Sequence, residues 1–205
     1  MVLASRAMLL SMALFANTAS VVASADEKSD AMRPPAIAAQ CGECHGVNGN
    51  STSETVPRLN GQQAGYLASR LHALRYPASQ TPKATHAMWN LTTHIGDDDV
   101  PVIAKYFASQ TPTPASKNDG RLAATGREIY ARGAFQEVPA CQSCHGAHGE
   151  GHGSTPRLAG QHSQYLQDQL LAFRLTLRPH PIMSFQNKYL TDAQIKALAA
   201  YLANQ

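Results

Sequence analysis

The feature that most constrains this chain is a five-residue motif of cysteine and histidine that occurs twice. Its copies are CGECH at residues 41–45 and CQSCH at residues 141–145, and together they contain all four cysteines of the chain. On one turn of helix, residues i, i+3 and i+4 share a face, so each copy places two thiols beside an imidazole. Each thiol can form a thioether with a porphyrin vinyl group while the imidazole binds the iron. The C-x-x-C-H pattern is therefore typical of covalent haem attachment.

Other uses of paired cysteines fit this pattern less well. C-x-x-C also occurs in thioredoxin-like redox sites and in zinc sites, and four cysteines in an exported protein ordinarily suggest two disulfides. None of these uses needs the histidine that directly follows both pairs. The sequence therefore predicts two covalently bound haem c groups. The predicted attachment residues and first iron ligands are Cys41, Cys44, His45, Cys141, Cys144 and His145.

The second half of the chain repeats the first well beyond these motifs. The segment PRLNGQ at residues 57–62 corresponds to PRLAGQ at residues 156–161, an offset of 99 (156 − 57), against 100 for the cysteines (141 − 41). Met88 corresponds to Met183 at an offset of 95 (183 − 88). Self-similarity over this length indicates two copies of one structural unit.

The residue opposite the histidine decides what each haem can do. Met88 and Met183 occupy the same place in the repeat and are the predicted sixth ligands. Methionine opposite histidine raises the reduction potential and suits electron transfer. A core position is the ordinary interpretation of a single methionine. The alternative ligands are nearby histidines, which would give lower potentials: His86, His94 and His180.

Further residues are expected around the haems. The carbonyls of Pro57 and Pro156 are placed to accept a hydrogen bond from the second ring nitrogen of each haem histidine, which would orient the ligand. Guanidinium groups suit the haem propionates, although ordinary surface and packing roles are the alternative. The candidates for this pairing are Arg58, Arg75, Arg157, Arg174, Tyr66 and Tyr165.

The N-terminus has the pattern of an export signal. Arg6 is followed by an apolar run at residues 7–16 and by the small residues Ala23-Ser24-Ala25. The apolar run is short for a membrane-spanning helix, so cleavage is favoured over retention as an anchor. We therefore expect an exported protein. The predicted organisation is a signal peptide at 1–25, a first domain at 26–110, a proline- and serine-rich linker at 111–120 and a second domain at 121–205.

Apolar spacing predicts helices at 62–75 and 97–109 and after a capping box that begins at Thr191. A short helix at 36–45 is expected to carry the first motif, and one at 123–132 to precede the second. In the first copy Gly96 replaces that threonine and Pro101 follows early, so this last helix is expected to start late or be kinked. His162 is expected at the surface. With 43% apolar residues the composition is that of a globular protein, and a net charge of +3 gives no indication of nucleic-acid binding.

Two C-x-x-C-H units, each followed by P-R-L-x-G-Q, a Y-L-x-x-x-L helix, a late methionine and a final A-x-Y helix, resemble the dihaem cytochrome c4 family. The likeness covers residues from about 36 to 205. It implies an all-α fold of two tandem class I cytochrome c domains, each a small helical fold around a covalent haem, related by pseudo-twofold symmetry with the haems facing each other. It also implies that His45 and Met88 ligate the first iron, and His145 and Met183 the second.

The resemblance further implies a periplasmic electron carrier, sometimes held at the membrane surface, that donates to a terminal oxidase. An iron with both axial positions filled has no site for a substrate, so an electron-transfer protein is expected and not an enzyme. The expected partners are a terminal oxidase, a cytochrome bc-type complex or a dehydrogenase. Two alternatives stay open: an electron-accepting haem subunit of a larger dehydrogenase, and a dihaem peroxidase-like enzyme with one open iron.

Overall fold

The structure is a computed structural model that describes residues 35–75, 83–113, 120–134 and 138–205, with the side chains of residues 83–87 left out. The predicted signal peptide at 1–25 and most of the predicted linker lie outside the described residues. The described chain is helical and contains no strand beyond isolated bridges between Ala134 and Val138 and between His152 and Thr155. Within these ranges no helix has the length and apolar character needed to cross a bilayer.

The first half contains five helices in the described ranges, and a single 3₁₀ turn at Val47–Gly49 follows the second of them. In chain order they are α1 (Ala36–Ala39), α2 (Gly42–His45), α3 (Ala64–Leu74), α4 (Lys83–Thr92) and α5 (Asp99–Ala108). Leu67 and Leu71 of α3 face the apolar side of α5, where Ile103 and Phe107 are 3% and 1% exposed. These side chains are spaced three or four residues apart on each helix, which is the periodicity that predicted both helices.

The second half repeats this plan with longer helices at its ends. They are α6 (Gly120–Arg132), α7 (Gln142–His145), α8 (Ser163–Arg174), α9 (Pro181–Asn187) and α10 (Asp192–Ala203). Helices α6 and α10 pack against each other at Gly126, where a Cβ atom would lie 1.9 Å from the carbonyl oxygen of Ala197. Only glycine permits this approach, which buries Ile129 and Tyr130 against Leu198.

The final helices of the two halves begin differently, as their sequences predict. The Thr191 hydroxyl accepts a hydrogen bond from the Gln194 N–H, and the Gln194 side-chain oxygen accepts one from the Thr191 N–H, which confirms the capping box. In the first half α5 begins at Asp99, two residues later in the repeat than α10, and the Asp99 carboxylate accepts from the Gly96 N–H at 3.3 Å. The expected late start is therefore confirmed, and Pro101 lies in the first turn, where its missing N–H costs little.

Two glutamines join the halves through backbone groups. The Gln62 amide accepts from the Arg157 N–H at 2.7 Å and donates to the Arg157 carbonyl at 2.9 Å. Gln161 makes the same pair of bonds with Arg58, at 2.9 and 3.0 Å. Both glutamines are buried, and the positions are equivalent in the repeat, so the exchange has local twofold symmetry. A buried amide that satisfies two backbone groups at once fixes the register of the two halves.

His162 also lies between the halves, and its expected surface position is wrong. Its side chain is buried, and Nε2–H donates to the Ser51 carbonyl at 2.9 Å, while Nδ1 lies 3.5 Å from the Glu54 carboxylate. The equivalent Gln63 reaches across in the same way, to the Glu150 carbonyl at 3.0 Å. Helical periodicity within one half carries no signal for burial against the other half, which explains the error.

Candidate haem sites

The two motif histidines end the short helices α2 and α7, and both are buried, with exposures of 5% and 6%. His45 Nδ1 lies 2.8 Å from the Pro57 carbonyl oxygen, and His145 Nδ1 lies 3.0 Å from that of Pro156. A carbonyl can only accept, so Nδ1 carries the proton and Nε2 keeps its lone pair for a metal. The hydrogen bonds predicted for Pro57 and Pro156 are confirmed.

The surroundings of these histidines favour the neutral ring that a metal requires. Burial lowers the pKa of His45 and of His145, and it outweighs the opposing effect of the proline carbonyls. A buried, neutral ring in a fixed tautomer can bind iron without first losing a proton. Both motif histidines have this neutral ring and fixed tautomer, although the loops that connect histidine and proline differ in sequence.

The thiols of each motif lie on the same turn as the histidine. Cys41 and Cys141 precede their helices and are half-buried, whereas Cys44 and Cys144 are exposed, and none of the four is in a disulfide. Burial raises the pKa of Cys141 to about 11, so this thiol is protonated at neutral pH. Each motif therefore has two thiols on one helical turn, with a neutral imidazole at its end that can bind a metal. This arrangement fits a haem attached through two thioether bonds.

Met183 lies in the first turn of α9, and the local sequence fixes that turn. His180 caps the helix, because its ring Nδ1 accepts from the N–H groups of Ile182 and Met183 at 3.3 and 3.1 Å. Asn187 donates to the Met183 carbonyl at 2.7 Å. His180 is one of the alternative ligands, and its Nδ1 is already used by this cap. The half-buried Met183 therefore lies on a defined turn.

Met88, at the corresponding place in the repeat, is the sixth residue of α4 and is also half-buried. Trp89, the next residue, holds this helix to the end of α3 through a hydrogen bond from Nε1 to the Arg75 carbonyl at 3.2 Å. His94 is exposed just beyond α4, and the side chain of His86 lies outside the described residues. No helix was predicted around either methionine. In α4 the helical spacing of Ala84, Ala87, Met88 and Leu91 was an available signal, whereas α9 has only 7 residues, too few to show a period. The proline after His180, at the first helical position, was the available signal for α9.

Two of the arginines proposed for propionate binding have other partners. Arg75 pairs with Asp97 and donates to the Ile95 carbonyl at 2.6 Å. Arg174 pairs with Asp192 at 2.6 Å and donates to a carbonyl at 2.7 Å in the same way. The Arg75 contacts join the end of α3 to the segment before α5, and the Arg174 contacts join α8 to the start of α10. The repeated aspartates were a signal for this role that the sequence analysis overlooked.

Arg58 lies in the interface between the halves, where it donates to the carbonyls of Ser51, Thr113 and Gly160 at 3.3, 2.7 and 3.3 Å. Burial lowers its pKa, against the charge of Glu54. The guanidinium therefore ties the segment after the first haem motif to the second half of the chain. Arg157, its counterpart, is half-buried, and burial lowers its pKa as well.

The sequence profile of the Cytochrome c family matches the chain twice, at residues 35–111 and 123–205. Two such helical domains, each with its own C-x-x-C-H turn, define a dihaem c-type cytochrome that carries two covalently bound haem c groups. Cytochrome c4 of Azotobacter vinelandii is 33% identical over 199 residues, which is 90% of this chain and 93% of the relative. The chain belongs to the cytochrome c4 family.

Solved structures agree with this assignment. The cytochrome c4 structure of Acidithiobacillus ferrooxidans superposes with a TM-score of 0.75 at 34% identity, and covers 82% of this chain and 99% of its own. A relative with a different name is the thiosulfate dehydrogenase electron acceptor of Stutzerimonas stutzeri strain A1501. It is 33% identical over 180 residues, which is 83% of this chain and 80% of the relative. The all-α fold of two cytochrome c domains that the sequence predicted is thereby confirmed.

Proposed function

We propose that the protein is a periplasmic carrier that exchanges electrons between respiratory complexes through two haems of the same ligand type. One haem is attached to Cys41 and Cys44, with His45 and Met88 on its iron. The other is attached to Cys141 and Cys144, with His145 and Met183 on its iron. When bound, each haem supplies a one-electron couple. Each iron would be held by a histidine and a methionine of this chain, which would leave it no vacant position for a reacting substrate.

The observation that carries this proposal is the repeated contact between histidine and proline carbonyl. It fixes the same tautomer in both halves, at 2.8 and 3.0 Å, so both Nε2 atoms are available for iron. The two methionines add a second repeated feature, since each lies half-buried on a short helix before the final helix of its half. A peroxidase-like enzyme would need one half to lack its sixth ligand, and both halves supply a methionine.

The ligand assignment is tested by one substitution in each half. Met88→His and Met183→His should each remove half of the weak long-wavelength absorption of sulfur-ligated ferric haem and leave two covalent haems per chain. Mass spectrometry of the exported protein counts the haems and reports the processed N-terminus. If both variants keep the full absorption, the methionines are not the ligands.

The proposed organisation follows the repeat. The signal peptide would comprise residues 1–25, the first domain 26–110, the linker 111–120 and the second domain 121–205. The separate buried clusters of the two halves support this division. Periplasmic location is supported by the export signal and by the covalent haems. The expected N-terminus after export is Asp26.

Two electron routes are compatible with this carrier. Donation to a terminal oxidase is the route that the family resemblance implies, with a cytochrome bc-type complex upstream. Acceptance from a dehydrogenase is favoured by the relative named as a thiosulfate dehydrogenase electron acceptor. In the second route the protein is the electron-accepting partner of the enzyme, and the enzyme performs the oxidation.

Stopped-flow mixing distinguishes the two routes. The oxidised protein is mixed with a thiosulfate dehydrogenase and thiosulfate, and separately the reduced protein is mixed with membranes that contain a terminal oxidase. Rapid reoxidation by the membranes, with slow reduction by the dehydrogenase, supports the first route. The reverse pattern supports the second.

A further inference from the structure

One histidine is buried between the two halves with only one of its ring nitrogens hydrogen-bonded. His162 directly precedes α8 of the second half, and its side chain is 3% exposed. Its Nε2 lies 2.9 Å from the Ser51 carbonyl of the first half, which can only accept, so Nε2 carries a proton. Nδ1 is buried and has no hydrogen-bond partner among the described residues. Buried polar atoms usually have a partner, and leaving one unpaired costs free energy.

A carboxylate of the first half faces this nitrogen. Glu54 Oε1 lies 3.5 Å from His162 Nδ1. The backbone of Glu54 is fixed by the second half, because its carbonyl accepts from the Tyr165 N–H in the first turn of α8 at 3.0 Å. The negative charge also lies near the N-terminus of a 12-residue helix, which favours it. The carboxylate is therefore held beside the ring, although 61% of its side chain is exposed.

Among the described contacts, the other charged group at this place is Arg58 of the first half. Its Nε donates to the same Ser51 carbonyl at 3.3 Å. Burial lowers the pKa of Arg58, and the charge of Glu54 opposes this effect. The guanidinium disfavours a second positive charge on His162, whereas the carboxylate favours it. Protonation of the ring therefore depends on Glu54.

The repeat shows that this contact between the halves does not need a titratable ring. His162 corresponds to Gln63 of the first half (162 − 63 = 99), which donates to the Glu150 carbonyl at 3.0 Å. Counted from the proline motif, Glu54 corresponds to Gly153 (153 − 54 = 99), which has no side chain. The imidazole and the carboxylate thus occur together at one of two equivalent contacts.

We infer that His162 and Glu54 form an ion pair between the two halves that is present in mild acid and lost above neutral pH. In the neutral ring a lone pair on Nδ1 faces a carboxylate oxygen, and the two repel. When the ring gains a proton, the same two atoms become the donor and acceptor of a charge-assisted hydrogen bond. Imidazole is the side chain that changes charge between about pH 5 and 8, so the halves should be held together more firmly in mild acid. The inference does not depend on the axial ligands proposed for the irons.

The first measurement is nitrogen NMR of the histidine rings in the fully reduced holoprotein between pH 5 and 8. We expect Nε2 of His162 to keep its proton throughout, and Nδ1 to change from unprotonated at pH 8 to protonated at pH 5. In Glu54→Gln the ring should stay neutral to a lower pH, because a carboxamide can donate to the bare nitrogen but has no charge to balance a cation. An unprotonated Nδ1 at pH 5 in the wild type would overturn the inference.

The second measurement is hydrogen exchange of the Tyr165 amide, which donates to the Glu54 carbonyl across the halves. Rates are compared between proteins at one pH, so the intrinsic exchange rate cancels. At pH 5 this amide should exchange about fivefold faster in Glu54→Gln than in the wild type, and at pH 8 no faster. His162→Gln copies Gln63 of the first half and keeps a donor for the Ser51 carbonyl, and it should show the same increase at pH 5.

Glu128→Gln is the matched control, because it removes an exposed carboxylate of α6 that pairs with exposed arginines. It should leave the exchange of the Tyr165 amide unchanged at both pH values. An equal effect of Glu128→Gln would show that net charge suffices, and equal rates in the wild type and Glu54→Gln at pH 5 would show that the pair does not link the halves. A change of the wild-type Nδ1 signal on addition of EDTA would place a metal ion, and not a proton, between ring and carboxylate. Each of these results overturns the inference.

Discussion

The two halves of this chain have the same order of helices but differ in how many buried side chains form their cores. In the second half a 13-residue helix, α6, crosses the 12-residue α10, and the described buried cluster extends from Ile129 to Leu202. In the first half the leading helix α1 has only 4 residues, and Ala38 is its only buried side chain. The last helix of that half also starts later and lacks a capping box.

This difference shows what the haem contributes to the fold. A domain of about 80 residues has little apolar surface to bury, and a covalent haem provides a rigid apolar centre that the chain can pack against. The first half has fewer buried side chains in its described cluster, so a larger share of its stability should come from the haem. We therefore expect the first half to be the less stable one, with faster amide exchange in α3 and α5 than in α8 and α10.

The difference in stability between the halves should change most when the crossing of α6 and α10 is disturbed. Gly126→Ala places a methyl group 1.9 Å from the Ala197 carbonyl, so the helices must separate. We expect a loss of about 3 kcal/mol from the second half, which exceeds the gain in helix propensity from alanine. Peptide-resolved hydrogen exchange should then show that the second half is no longer the more stable one.

Gly120→Ala is the matched control for this substitution, because no atom lies within 4 Å of the added methyl group. It should leave exchange in α10 unchanged. Slow exchange in α10 of the Gly126→Ala protein would contradict the importance of the crossing.

A second test examines the hydrogen bonds of Gln62 and Gln161, in which the two halves are equivalent. Gln62→Ala and Gln161→Ala each leave one backbone N–H and one carbonyl of the opposite half buried without a partner, which costs about 2 kcal/mol. Because the exchange is symmetric, urea unfolding should show similar losses for the two variants. Gln164→Ala, an exposed position on α8, should change little. Losses that differ severalfold would show that the interface is not symmetric in energy.

A third test makes the last helices more alike. Thr191→Ala removes the cap of α10, and the expected loss is about 1 kcal/mol of the stability of the second half. Exchange should accelerate in the first turn of α10 and approach that of α5. Unchanged exchange at Ala193 and Gln194 would indicate that packing alone fixes the start of this helix.

The smallest expected effect concerns the ion pair of the first half. The hydrogen bond and charge of Arg75 hold the pKa of Asp97 below its ordinary value of 3.8. A lowered carboxyl pKa contributes stability above the unfolded value, and the contribution is lost as the pH falls through the folded value. The melting temperature should therefore fall below about pH 4 less steeply in Asp97→Asn than in the wild type. Identical slopes would show that the exposed pair contributes nothing.

Much of this architecture could be predicted because it depends on local chemistry that occurs twice. The C-x-x-C-H turns, the carbonyls of Pro57 and Pro156 and the capping box at Thr191 all depend on neighbours close in sequence. The late start of α5 followed from Gly96 and Pro101 in the same way. Periodicity also located α3, α5 and α10 to within a few residues, and the repeat located α8.

What the sequence did not reveal depends on contacts between distant segments. His162 is buried because the first half covers it, and no pattern within the second half indicates that. The helix around Met88 is held to the end of α3 by Trp89, whose Nε1 donates to the Arg75 carbonyl, and α9 has only 7 residues, too few to show a period.

The central claim is that each half holds its own covalent haem between histidine and methionine. A redox titration of the mature protein, followed in its visible spectrum with the haem content measured on the same sample, tests this most directly. The account predicts two haems per chain, two one-electron steps and potentials in the range of sulfur-ligated c-type haems. A single haem per chain, or one step at the low potential of a bis-histidine haem, would contradict it.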